Sequence, residues 1–497
     1  MRDSRRAWLG WVPWCVVVFG LFNTCAGHRE AEDLGRLHDS GHRSLTPSLV
    51  LRVVRAAGTD DGDINRYRAY ANAVLGRPYQ GYYVRPSALW SGDARSEYDA
   101  KDVSDPLVTP PVQPYAPLTP YRDFLVEYPP GFFLLALPPA WAGGDFTLYP
   151  VIFSLYMGLL LTAALFAGTR LLPLISPTQE TAGALTRWAA AAALALGIIA
   201  VRRYDAAVAL SLCVLAWGVV GKRPLWAGVA LGLGTAAKGL PIFLVPVLLT
   251  YWLSRRRFKE AALAAATASA VGLLVALPFV LTAGRSFFDA VSYHAQRPLQ
   301  IESTEGALLI VARLIAPGSV TVTHTFGSAN VIAAWETPLR YLASVLPSFA
   351  VIAVCLWTRR RLRAATSESE AGLLLVRALC ATLVALMTLG KVFSPQYVTW
   401  LLPLAVAVSL ADDGRETRWL MLAAFALTQL VYPWCYWLGL DSSLHPLFGV
   451  AVLLRNGVLI AWAWRLLRPR RRAGVPRSPP TKQTPSGIST IEKALVS

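Results

Sequence analysis

Long apolar runs separated by short polar breaks dominate the chain from about residue 147 onward, and one earlier run lies near the start. Runs of roughly 20 apolar residues are what a bilayer core demands of a helix. They can be read near 7–27, 147–169, 185–201, 206–221, 224–237, 240–253, 260–283, 340–358, 371–389, 397–411, 417–437 and 446–467. The pattern predicts an all-α polytopic membrane protein with about twelve transmembrane helices. Lys238, Gly239 and Pro241 interrupt residues 224–253, which read either as a tight hairpin of two helices or as one long kinked helix.

Four segments follow from this reading. Residues 1–27 are a first transmembrane helix or signal anchor, and their basic start and small residues Cys25-Ala26-Gly27 also fit a cleaved signal peptide. Residues 28–146 form a long first loop, 147–467 a helical core, and 468–497 a basic tail rich in Pro, Ser, Thr and Gly, predicted to be disordered.

Composition agrees with the pattern. Of 497 residues 55% are apolar and 15% charged, and the mean hydropathy of +0.44 is too high for a soluble globular chain of this size. The net charge of +17 comes from clusters at the ends of apolar runs, so it argues for membrane topology rather than nucleic acid. Arg2, Arg5 and Arg6, then Lys222-Arg223, Arg255-Arg256-Arg257, Arg359-Arg360-Arg361 and Arg468 to Arg472 fall on one side if the spans alternate. Both termini are then cytoplasmic, in a plasma (inner) membrane. The first loop, with 15 of the 30 acidic residues against 12 Lys and Arg, is extracytoplasmic. The six Cys are scattered and form no CxxC, so neither a zinc site nor a disulfide framework is indicated.

Ionisable residues in or beside a bilayer are costly, and each is a candidate for function. The first loop carries DINRY at Asp63 to Tyr67 and YRDFLVEYPPG at Tyr121 to Gly131. Beyond it lie Arg202-Arg203-Tyr204-Asp205, Lys238, YHAQRPLQIES at Tyr293 to Ser303 and KVFSPQYVTWLLP at Lys391 to Pro403. Alternation puts all of them on the extracytoplasmic side. Each has a plainer reading: Arg203 and Asp205 as a solvated hairpin, Lys238 as a snorkelling side chain, His294 with Arg297 as a surface patch, Tyr397 and Trp400 as an aromatic belt. Gly228, Gly232 and Gly234 suit close helix packing better than phosphate binding.

The cations Arg203, Lys238, His294, Arg297 and Lys391 near one membrane face suit a phosphate that cannot leave the lipid. Carboxylates above them can accept a hydroxyl proton. Asp60, Asp61 and Asp63 also have oxygen ligands for a divalent metal, but a solvated acidic turn around Gly62 is the favoured reading, and no cofactor is assigned.

In order, DINRYRAYANAVLGRPY, PYRDFLVEYPPG, the Lys238 segment, YHAQRPLQIES and KVFSPQYVTWLLP resemble the glycosyltransferase family 87 group of integral membrane transferases, of the GT-C fold class. The resemblance covers most of Asp63 to Pro403. It implies transfer of a hexosyl residue, mannosyl foremost, from a polyprenyl-phosphate-linked donor to a hydroxyl of a glycolipid, glycan or protein at the extracytoplasmic face. Asp63 matches the family's general base, and inversion at the anomeric carbon follows. His294 and Arg297, with Lys238, Lys391, Arg203 and Asp205, are assigned to the donor phosphate or sugar. Glu127, Tyr128, Gln396 and Tyr397 are assigned to loop and acceptor positioning. An insertion from about Gln80 to Leu118 departs from the family spacing. The competing class is a multi-span transporter or flippase of a lipid-linked sugar, against which stands the lack of repeated halves.

Overall fold

The computed structural model describes residues 62–79, 84, 116–145, 148–176, 182–412, 414–440 and 444–468. The first apolar run, Asp60, Asp61, most of the inserted stretch and the basic tail lie outside the described residues.

All eleven apolar runs from 147 onward fold into helix. In chain order the main elements are α1 (Gly62–Val74), α2 (Phe133–Ala142), α3 (Leu148–Ile175), α4 (Ala182–Leu196), α5 (Asp205–Val220), α6 (Pro224–Lys238), α7 (Val245–Ser254), α8 (Phe258–Ala283), α9 (Asp289–Gln296) and α10 (Thr304–Ala312). A two-stranded hairpin follows, β1 (Val320–Thr325) with β2 (Ser328–Ala333). Then come α11 (Glu336–Leu362), α12 (Glu368–Thr388), α13 (Leu402–Ala411), α14 (Arg415–Gln429) and α15 (Pro446–Leu467).

Among the described residues five helices are long and apolar enough to cross a membrane: Leu148–Ile175, Phe258–Gln296, Glu336–Leu362, Glu368–Thr388 and Pro446–Leu467. The protein is a predominantly helical membrane protein. Only 6% of the apolar window of α8 and 17% of that of α11 is buried, against 78% for α12, so α12 is central and the other two offer their flanks to lipid. Other apolar helices are shorter, and several have one end at the polar cluster described below, as at Arg202, Asp205 and Lys238.

Helix direction carries the charge pattern. α5 starts at Asp205 and runs 16 residues, roughly 24 Å at 1.5 Å per residue. The chain turns at Lys222-Arg223 and α6 returns to Lys238. α7 then leads away again: Arg257, just past its end, donates through Nη2 to the Val219 carbonyl at 2.9 Å, and Arg255 and Lys222 both pair with Glu368. Residues 224–253 are therefore two helices rather than one kinked helix, and their arms splay because α7 packs on α11 and α6 on α8. The α6–α8 approach is close: a Cβ at Gly228 would sit 2.6 Å from the Ala264 carbonyl oxygen, and one at Gly232 2.7 Å from that of Ala268. Packing is what these glycines serve.

Two features differ from the sequence reading. The stretch 28–146 is not loop throughout, since it contains α1 and α2. α1 is too polar overall for hydropathy to find it, yet Ile64, Tyr67, Arg68, Tyr70 and Asn72 are buried. Two of its buried polar side chains bond to backbone: Asn72 Nδ2 donates to the carbonyls of Pro78 and Gly144, each at 2.8 Å, and Arg68 reaches Gly144 at 3.2 Å. The β-hairpin is the second difference. Its tip, Phe326-Gly327, has φ of +55° and +63°, as a two-residue primed turn requires. Leu299 and Ile301 pair with Val331 and Ala329, which ties the hairpin to the segment after α9.

Candidate active site

Asp63 lies in the first turn of α1, where a carboxylate meets the positive end of the helix dipole. Arg203, at the turn before α5, forms an ion pair with it, Nε to Oδ2 at 2.8 Å. The Asp63 side chain keeps a quarter of its surface exposed, whereas that of Arg203 is 8% exposed. Burial pushes the Asp63 carboxyl up, but Arg203, Arg66, Lys238 and Arg297 together outweigh it and hold the group below the usual carboxylate range.

One turn along α1, Arg66 donates through Nη1 to Glu127 Oε1 at 2.7 Å, and the Tyr70 hydroxyl donates to Glu127 Oε2 at 2.6 Å. Glu127 is thereby fixed by two groups of α1. His294 at the end of α9 meets the Glu127 carbonyl oxygen through Nε2 at 2.8 Å. Tyr128 packs edge-on against Tyr67 and Tyr204, which gives the loop an aromatic floor. The following Pro129-Pro130-Gly131 turn seats against the end of α6, where a Cβ at Gly131 would lie 2.6 Å from the Ala236 carbonyl carbon. Gly131→Ala should destabilise the protein by about 1–3 kcal/mol through overpacking. A melting curve in detergent checks this, and an unchanged midpoint would mean that the turn relaxes freely.

Beneath Asp63 lies a second buried pair. Asp205 is fully buried, with Lys238 Nζ 3.1 Å from its Oδ1 and Trp400 Nε1 donating to the same oxygen at 2.6 Å. Lys238 sits over the Tyr204 ring at 4.1 Å and 5.3 Å from that of Tyr397. Tyr397 stacks on Trp400 at 4.2 Å, both held by the 3₁₀ segment Pro395–Leu401 that also carries half-buried Gln396. Arg203 and Asp205 are therefore not a solvated hairpin. Lys238 does not snorkel, and Tyr397 with Trp400 turns inward instead of forming a belt.

Arg297 follows α9, and its Nε is buried without a hydrogen-bond partner. Lys391 lies at the rim, where Nζ donates to the Ala295 carbonyl at 2.8 Å. Burial, Arg340 and then Arg297 lower its pKa. Among the described residues no group of three His, Cys, Asp or Glu side chains is placed to hold a metal ion.

The site thus joins DINRY, EYPPG, RRYD, Lys238, YHAQR and SPQYVTW, six segments far apart in the chain. A family model described as glycosyltransferase family 87 matches residues 124–395, more than half the chain. The chain belongs to glycosyltransferase family 87. As a member of that family it is a membrane glycosyltransferase. It is also similar to a polyprenol-phosphate-mannose-dependent alpha-(1-2)-phosphatidylinositol mannoside mannosyltransferase of Mycolicibacterium smegmatis, with 28% identity over 319 residues, 62% of this chain and 67% of that protein. No solved structure matches the chain significantly. The family match begins at Phe124, so it includes Glu127, Lys238, Arg297 and Lys391 but leaves Asp63 to the geometry.

Sequence reasoning missed Arg66. Arg66 was legible as the residue three after Asp63, which shares its face on a helix.

Proposed function

We propose that the enzyme transfers a mannosyl residue from polyprenyl-phosphate-mannose to a hydroxyl of a glycolipid acceptor, at the extracytoplasmic face of the plasma membrane and with inversion. The reading includes a GT-C-like arrangement of about twelve spans with both termini cytoplasmic. It is supported by the end-to-end separation of the basic turns from the polar cluster, by the family, and by the relative's dependence on polyprenol-phosphate-mannose. The observation that carries it is a single one. A partly exposed carboxylate stands in the field of four cations, and one of them, Arg297, keeps a buried N–H without a partner.

In this mechanism Asp63 accepts the proton of the acceptor hydroxyl as its oxygen attacks the anomeric carbon. The bond from that carbon to the phosphate oxygen breaks, and the lipid phosphate leaves with the electron pair. Because the neighbouring cations keep Asp63 ionised, it is a weak base that takes the proton late, once the new C–O bond is advanced. Charge gathers on the leaving phosphate, where Arg297 supplies preorganised donors. Arg203 orients Asp63, and Glu127, clamped by Arg66 and Tyr70, shapes the acceptor side.

Purified protein given polyprenyl-phospho-mannose and a mixed phosphoinositide glycolipid acceptor should form the extended glycolipid without any nucleotide sugar, its new linkage opposite in configuration to the donor. A strict requirement for a sugar nucleotide, or movement of intact donor across a vesicle without transfer, would sink this reading. Arg297→Ala should raise the donor KM or lower kcat by roughly 10- to 100-fold, the worth of a charge-assisted hydrogen bond. Steady-state kinetics with the acceptor saturating decide it, and unchanged constants exclude the role.

A further inference from the structure

Glu302 lies in the segment between Arg297 and α10, and the residue has 1% of its surface exposed. Its Oε2 is buried with no hydrogen-bond partner. The guanidinium beside it does not supply one. Arg455 of α15, itself fully buried, donates through Nη2 to the Glu302 backbone carbonyl at 2.7 Å and through Nε to Asn456 Oδ1 at 2.8 Å, and packs at 3.9 Å on the Phe393 ring. Its Nη1 also lacks a partner. The carboxyl is thus enclosed but not tied into an ion pair by a hydrogen bond.

The charged groups that act on Glu302 come from every side. Arg455 of α15, Arg297 of the same loop and Arg203 before α5 favour its ionised form, and Asp63 of α1 opposes it. Burial is the largest influence and pushes the group up to about 8. Glu305, in the first turn of α10, is also pushed up by burial, to about 7. An acid with such surroundings carries its proton near neutrality. It is then an O–H donor within the field of the cations assigned to the donor phosphate. Ionised, it would instead repel an anion there.

We propose that Glu302 works as a neutral carboxylic acid that donates a hydrogen bond to a phosphate oxygen of the polyprenyl-phospho-sugar, alongside the fork of Arg297. This rests on the donor reading given above. No proton changes hands: it stays on Glu302 while the glycosyl–phosphate bond breaks. The proposal gives a sign for pH. Donor affinity is present while Glu302 is protonated and is lost as pH rises through about 8.

Binding of polyprenyl-phospho-mannose to the full-length protein in nanodiscs, without acceptor, is the test. The donor is a phosphodiester with no titrating proton near neutrality, so its own charge does not change. Wild-type affinity should fall roughly 10-fold or more between about pH 7 and about pH 9.5, while Glu302→Gln, a neutral donor of the same shape, should bind at pH 7 like wild type and lose this dependence. Lys391 loses charge in the same direction on alkalinisation, so a Lys391→Gln protein must still show a fall of roughly 10-fold or more. Disappearance of that fall in Lys391→Gln, a pH-independent wild type, an unchanged slope in Glu302→Gln, or a folded Glu302→Gln that no longer binds each overturns the proposal. Should Glu302→Gln fail to fold, the wild-type and Lys391→Gln curves still decide. A wild type that does not bind the donor at any pH would instead defeat the donor reading itself.

Discussion

Asp63→Asn should lower kcat roughly 10²- to 10⁴-fold, the usual worth of general-base assistance, with donor affinity held within a few-fold. The side chain keeps its shape and its place at the start of α1, while the group that receives the acceptor proton is gone. Retention of full transfer by a folded, inserted Asp63→Asn protein would remove Asp63 from the mechanism. The pH profile gives an independent view. A base that acts ionised loses activity as pH falls through its folded pKa. Arg203, Arg66, Lys238 and Arg297 hold the Asp63 carboxyl below its ordinary 3.8 against the upward push of burial. The wild-type acid limb should therefore lie in or below the usual carboxylate range, and a limb centred near neutrality would contradict the assignment.

Lys238→Met is the second large effect, and it falls on stability. Asp205 is fully buried, and its only cation bonded at close range among the described residues is Lys238, at 3.1 Å. Removal of one partner of a buried pair costs about 3–5 kcal/mol, because the other charge is left without compensation in a medium of low dielectric. The melting midpoint of Lys238→Met in detergent should drop sharply, and Lys238→Met with Asp205→Asn should recover much of it, since Trp400 can still donate to the amide oxygen. If the single variant melts like wild type, or the double variant is worse than the single, the pair is not what holds α5, α6 and the Pro395–Leu401 segment together. Activity should fall as well, since Lys238 is one of the cations in the field of Asp63.

How much of this was legible in the chain varies with the element. The helices from 147 onward could be read because a run of apolar residues long enough for a bilayer has few other uses. The inward side chains of the cluster could be located but not paired. Arg203 and Asp63 are 140 positions apart and Trp400 and Asp205 are 195 apart, and nothing local in either segment names its partner. Tyr397 and Trp400 show the same limit: an aromatic next to an interface looks alike whether it faces lipid or a buried carboxylate. α1 was hidden for the opposite reason. Its buried Arg68 and Asn72 owe their places to carbonyls of the neighbouring loops, so its hydropathy resembles that of a solvated segment. The glycines of α6 were legible as packing residues, because spacing by four on an apolar helix already describes one face.

The sequence by itself determined the membrane class, the helical runs and the family. These follow from composition, from the lengths of apolar runs and from the order of motifs, properties that can be read along the chain. Only the tertiary structure decided which charges meet. It put Arg203 rather than Lys238 against Asp63, gave Lys238 to Asp205, fixed Glu127 between Arg66 and Tyr70, and left Arg297 and Glu302 with buried polar atoms unpartnered. The physical reason is the steep dependence of electrostatic and hydrogen-bond energy on separations of a few ångströms and on burial, and those are set by packing between helices distant in the chain.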